Sequence, residues 1–369
     1  MSEEQRYRRN PDLLPEWGDG PRMVVRDCRQ WRRFTVQPEL LTALSHLDRP
    51  RTAEDLHALW PRSPGPEAVA VLLGKLARAG IVHPCGPGPQ DEAKAPDEGR
   101  ADGRTPYELA VHRQAGTAAT GGRDLRASPP AHWRHDEALA TIPLPETTDV
   151  PSRSLATVLT ERRSIRAFAP HPVPLTGLAA FLDRAARVRG HLSSPDYQQT
   201  QRPAPSGGAR HSLEIYLLAR EVDGLEAGAY HYDPFAHTLN HLTPWNEGLT
   251  DLQQRLVVVP AQLREPAPVS LYLTSYVART AWKYSGMALA MVYRDTGCLL
   301  QTMCLTATDL GLGACPVGAV DGALSPPFLA SYRDRLIHVG CLALGLPASD
   351  QPPPPVLPLQ PGSEPPRVP

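Results

Sequence analysis

Apolar positions gather in two dense blocks, one from Met23 to about His83 and one from about Leu144 to Leu346, with polar sequence between them. In the first block "MVVRDCRQWRRFTV" has strand character. "PELLTALSHLD" then carries Leu40, Leu41, Leu44 and Leu47 at three-to-four spacing, which predicts a helix. "RTAEDLHALW" predicts a second helix, with Thr52 as its N-cap ahead of Glu54 and Asp55. "PEAVAVLLGKLARAGIV" predicts a third, with Pro66 in the first turn and Gly80 as its stop, before a short strand at "GIVHP". Three small helices with flanking strands make a winged-helix domain over 21–86. Such a unit can be a packing or dimerisation domain, a peptide-docking wing or a DNA reader, though "LLGKLARAG" is weakly basic for the last role.

In the second block helical and strand periods interleave. "SLATVLTERRS" and "LTGLAAFLDRAARVRG" have helical spacing. "SLEIYLLAREV" and "GAYHYDPFAHTLNHL" alternate as strands, and "VSLYLTSYV" is another. "GMALAMVYRDTGCLLQTMCLTATDLGLG" predicts one long helix, and "RLIHVGCLALGLP" a buried closing strand. The order α-β-β-β-α-β predicts an α+β fold with an antiparallel-rich sheet flanked by helices, over 141–349. Residues 1–20 read as a flexible tail. The Gly, Pro and acidic stretch over 87–140 reads as a linker, and 350–369 as a proline-rich, extended tail.

Charge narrows the partners. Lys plus Arg number 38 and Asp plus Glu 39, a balance that gives no reason to expect nucleic acid or an anionic membrane. No apolar run is long enough to span a bilayer, and the first residues lack a signal-peptide core, so a cytoplasmic location is expected. The six cysteines form no C-x-x-C pair and read as reduced thiols, and the 13 histidines show no metal-ligand spacing.

Four stretches are candidates for chemistry. In "ERRSIRAF", Arg162, Arg163, Ser164 and Arg166 suit a phosphate, since guanidinium binds its oxygens as a fork; a solvated basic helix end reads equally well. Pro205, Ser206, Gly207 and Gly208 let backbone approach a flat ligand, or form an ordinary loop. Gly311 and Gly313 follow the long helix as a cap or as cover for a ring system, and nearby Cys315 reads as structural. The fourth is "WKYSG". Only three cations of the chain are lysines, namely Lys75, Lys94 and Lys283. Arginine cannot release its proton in a protein, whereas lysine can when burial lowers its pKa. Lys283 and Tyr284 therefore form a candidate acid–base pair, provided they are desolvated.

Taken in order, "RRSIRAF", "RPAPSGGARHSLEIYLL", "GLEAGAYHYDPFAHTLNHL", "WKYSG" and "YRDTGCLLQTMCLTATDLGLGACPVGA" resemble the nitroreductase superfamily, and within it the SagB-type azoline dehydrogenases. The resemblance covers about Leu144 to Leu346. It implies a homodimeric FMN enzyme that oxidises thiazolines or oxazolines to thiazoles or oxazoles in a ribosomally made peptide, working beside a cyclodehydratase. Arg162, Arg163, Ser164 and Arg166 would hold the FMN phosphate and ribityl chain. Pro205, Ser206, Gly207 and Gly208 would line the isoalloxazine, with Gln301, Gly311, Leu312, Gly313 and Ala314 completing the pocket. Lys283 and Tyr284 match the family's catalytic pair and would take the azoline Cα proton while hydride leaves for the flavin; which of the two accepts it stays open. The winged helix is similar to leader-peptide recognition domains. In one departure, the basic residue with which many nitroreductases clamp the phosphate near the chain end has only Arg367 as a counterpart here, far out in the tail. An NAD(P)H-dependent nitroreductase or quinone reductase, and a non-catalytic peptide-docking subunit, are the rival readings.

Overall fold

A computed structural model describes residues 4–17, 22–60, 63–86, 104–115, 127–147, 150–194, 197–284, 286–320 and 326–349. The proline-rich tail 350–369 with Arg367, most of the expected linker and Ser285 lie outside the described residues. The chain divides into two units, Met1–Ala119 and Thr120–Pro369.

The first unit is built from β1 (Arg6–Arg9), β2 (Leu13–Trp17), β3 (Met23–Asp27), β4 (Arg32–Val36), α1 (Pro38–Ser45), α2 (Ala53–Leu59), α3 (Pro66–Ala79), β5 (Val82–Cys85) and α4 (Pro106–Gln114). Strands β2, β3 and β4 form one antiparallel sheet, and β1 pairs with β5. The expected helices form where their caps stand: Thr52 and Asp55 close a capping box on α2, and Gly80 ends α3 in the left-handed conformation. Leu44, Leu47, Leu56, Val69 and Leu73 meet in the core.

Two expectations need correction. Residues 6–9 and 13–17 are strands, not tail. "RYRR" and "LLPEW" lack clean alternation because each lies at the edge of its small sheet and is held by backbone pairing. The stretch expected as linker also holds folded segments. Helix α4 starts from a second capping box, Thr105 with Glu108, while Ala131, Trp133 and His135 are buried in the second unit.

In that unit a seven-stranded antiparallel sheet is made from β6 (Ala140–Pro143), β7 (Leu213–Ala219), β8 (Gly228–Asp233), β9 (Thr238–Pro244), β10 (Val269–Tyr276), β11 (Gly313–Val317) and β12 (Leu336–Gly345). Their spatial order is β11-β12-β10-β7-β8-β9-β6. Alternation along β7 shows how it is sandwiched. Leu213, Ile215 and Leu217 point into a core shared with α6 (Leu175–Ala186) and the long helix α9 (Ala288–Asp309), whereas Tyr216 and Leu218 point into a second core with Leu249, Leu252 and Leu256. The expected α+β fold is therefore present, with helices on both faces of the sheet.

Candidate active site

At the end of β10 the chain makes a short helix α8 (Val277–Ala281) and then a tight turn, in which the Lys283 and Tyr284 amides both donate to the Thr280 carbonyl at 3.1 and 3.0 Å. This turn carries the Lys-Tyr pair up to the glycine loop. Gly208 has φ +61°, and a Cβ there would stand 2.9 Å from Tyr284 Oη and 3.1 Å from Lys283 Nζ. A Cβ on Gly207 would run into Met291. Glycine is thus favoured at Gly208 by its left-handed backbone and by contact with the pair, whereas at Gly207 the flexible end of Met291 could move aside.

A third aromatic residue completes the group. The Lys283 ammonium donates to the Tyr197 hydroxyl, which donates to the Gly208 carbonyl at 3.3 Å. Lys283 Nζ lies 4.8 Å from the Tyr197 ring centroid and 5.5 Å from that of Tyr284. The expectation of a desolvated lysine with a lowered pKa is corrected here. Lys283 is only half-buried, and the hydrogen bond to Tyr197 raises its pKa, with a smaller opposing effect from burial. Nothing in the local sequence marks Tyr197, which is 86 residues from Lys283.

Two fully buried arginines brace this corner. Arg210 donates from Nε to the Arg279 carbonyl (2.9 Å) and from its two terminal nitrogens to the carbonyls of Gln198 and Pro129, both at 2.8 Å. Burial lowers its pKa to about 10. Arg279 Nη1 donates to the His211 carbonyl (2.8 Å) and to Glu214 Oε1 (2.9 Å). Burial by itself would raise the Glu214 carboxyl, but Arg279 and His231 together hold it below its usual range. On the other side of the loop, Ser206 donates to Asp295 at 2.6 Å and the Gly207 amide reaches the same carboxylate at 3.1 Å. Burial pushes the Asp295 carboxyl up. Asp295 escaped the sequence reading, although a carboxylate in helical phase with buried Val292 and Leu299 was a visible signal.

The remaining expected residues gather elsewhere. Arg162, Arg163, Gly311 and Leu312 line a groove of about 550 Å³ at the far end of α9. Ser164 and Arg166 are not among its lining residues, and Arg166 Nε donates instead to the Ala261 carbonyl at 3.0 Å. Gly313 and Ala314 belong to strand β11 and not to a turn. Ala314 accepts from the Ile165 amide at 2.9 Å, and a Cβ on Gly313 would come within 2.8 Å of the Ile165 side chain. These contacts pin the arginine segment to the sheet. Pro205 is exposed beside the glycine loop, and Gln301 is exposed midway along α9. From Asp295 to Thr308, helix geometry puts the two clusters about 20 Å apart.

The sequence can now be compared with known proteins. The nitroreductase family model matches residues 159–336, which include the groove, the glycine loop and the Lys-Tyr turn. A Methanocaldococcus jannaschii protein named as a nitroreductase is 31% identical over 175 residues, covering 46% of this chain and 81% of that protein. The chain belongs to the nitroreductase family. Two further relatives are named as processing proteins. The trifolitoxin-processing protein TfxB of Rhizobium leguminosarum bv. trifolii is 29% identical, over 38% of this chain and 40% of its own. The microcin B17-processing protein McbC of Escherichia coli is 28% identical, over 33% of this chain and 45% of its own. The chain thus spans less than half the length of either processing protein. No described helix of the chain is long and apolar enough to cross a membrane.

Proposed function

We propose that this member of the nitroreductase family is an FMN-dependent azoline dehydrogenase that matures a ribosomally made peptide. The observation that carries the reading is the convergence of Lys283 and Tyr284 on Gly208, where the missing Cβ lets an ionisable pair pack directly against the glycine loop. An ordinary nitroreductase reaction has no need of a proton acceptor at that point. A peptide azoline does, because its Cα–H lies between a carbonyl and an imine and must leave as a proton. FMN, when bound, supplies the hydride acceptor. The relatives named for trifolitoxin and microcin processing support a peptide substrate, and the first unit, a compact domain of its own, is proposed to dock the leader of that peptide or a partner such as a cyclodehydratase.

The residues present fit FMN if two copies share each site. Arg162 and Arg163 would hold the phosphate, and the Gly207–Gly208 loop would face the ring. One chain holds these clusters at opposite ends of α9. Between them the helix shows an exposed face with Tyr293, Gly297, Cys298 and Gln301, next to exposed Leu155 and Leu159, and a Cβ on Gly297 would meet nothing. A second copy laid antiparallel across Gly297 would set the Lys-Tyr end of one helix beside the Gly311 end of the other. Homodimeric sites are therefore part of the proposal.

The test is anaerobic mixing of the flavin-loaded protein with a thiazoline peptide. Single-turnover bleaching of the flavin with appearance of thiazole absorbance is expected. Bleaching by NADPH with a nitroaromatic as re-oxidant, and none by the azoline, would favour the plain nitroreductase reading.

A further inference from the structure

The reading above leaves open which group takes the Cα proton; resting on it, we infer that Tyr197 is a positioning residue that holds Lys283 as an ammonium, so that the Tyr284 oxygen takes the proton and the lysine amine does not. The hydroxyl of Tyr197 has a single proton, and it points to the Gly208 carbonyl. A lone pair is left facing Lys283, which donates to it. The amine also stands over two ring faces, those of Tyr197 and Tyr284. Ring faces attract a cation and offer nothing to the lone pair of a neutral amine.

The titratable groups around this amine are few. Tyr197 and Tyr284 act on it directly, and each favours its charged form. Arg210 lies over the Tyr197 ring at 5.1 Å, with its own donors committed to three carbonyls. Asp295 is engaged by Ser206 and Gly207 on the other side of the loop. The described surroundings therefore supply acceptors and ring faces to the amine, which is the environment of an ammonium.

An ammonium cannot accept a proton, but it steadies an anionic oxygen beside it. Tyr284 Oη is that oxygen, since it and Lys283 Nζ both lie about 3 Å from the same point above Gly208. In the proposed step the Tyr284 hydroxyl first loses its own proton to solvent; the Cα–H bond then breaks, its proton forms a new O–H bond on that oxygen, and its electron pair becomes part of the new ring double bond. The ring CH₂ hydrogen would leave with its pair as hydride, for which FMN, when bound, would be the two-electron acceptor. Tyr197 touches none of the reacting atoms.

The lysine count makes the inference directly measurable. With three lysines in the chain, labelling at Cε gives three carbon signals, and Lys283→Arg identifies one by removing it. In the wild type, Lys283 is expected to titrate above the ordinary value of about 10.4. Tyr197→Phe keeps the ring and removes the acceptor, and should lower that titration measurably. The alkaline limb of kcat should move down with it. Equal Lys283 titrations in wild type and Tyr197→Phe would overturn the inference. If Tyr197→Phe does not fold, the wild-type titration decides alone, and a Lys283 that titrates below free lysine overturns it. The titration needs neither flavin nor substrate. Absence of flavin bleaching by an azoline in the wild type would therefore overturn the proposed activity without touching the assignment of the ammonium.

Discussion

A methyl group at Gly208 would meet both members of the Lys-Tyr pair and would sit on a backbone with φ +61°. Left-handed backbone costs a β-carbon residue about 1 kcal/mol or more, so Gly208→Ala should lower stability only modestly. Its effect on turnover should be far larger, because general-base catalysis contributes roughly 10²–10⁴ in rate and depends on placement. The expected result is a folded protein whose azoline oxidation per bound flavin is reduced by at least about 10²-fold. Near-wild-type turnover in stopped-flow bleaching would show that the pair tolerates displacement and is not the proton acceptor. At this scale the sequence was readable only where a residue was chemically unusual for its surroundings. Lys283 stood out because arginine replaces lysine almost everywhere else. Tyr197 did not, since one tyrosine in "SSPDYQQTQ" has no period and no local partner, and its role arises from a contact 86 residues away.

Elements hold the pair in place through backbone carbonyls. Arg279 projects from α8 and ties that helix to the His211 carbonyl at the end of the glycine loop, while Arg210 ties the loop back to α8. The cost of the brace is a buried charge pair. Arg279 is completely buried, its Nε and Nη2 find no partner among the described residues, and Glu214 is 4% exposed. Removing Arg279 would leave the buried Glu214 carboxylate with only the His231 ring beside it, a loss of roughly 3–5 kcal/mol. Arg279→Met should therefore destabilise strongly in urea unfolding, and adding Glu214→Gln should recover much of the loss. Additive losses would mean that the two side chains act separately. The same scale separates what periodicity reveals from what it hides. Helices α2, α3 and α9 and strands β7 and β12 follow apolar spacing and caps, because each buries a face. Strands β1 and β2 bury little and depend on a neighbour that only the folded chain supplies, so their sequence looked like tail. Helix α4 did carry a readable signal, the Thr105–Glu108 capping box, inside composition that suggested linker.

For the whole molecule, the decisive feature is the length of α9. It keeps the Arg162–Arg163 groove and the Lys-Tyr corner of one chain at opposite ends, so each complete site in the proposed dimer draws its halves from different copies. The consequence is genetic complementation between dead proteins. Arg163→Ala damages one half-site and Lys283→Met the other. Each variant alone forms dimers in which every site is defective. Unfolded together and refolded as a mixture, half of the dimers become hybrids, and each hybrid has one doubly damaged site and one intact site. Random reassociation should then restore about a quarter of wild-type azoline oxidation from two inactive parents. A mixture that stays as inactive as its parents would mean that each chain builds its site alone.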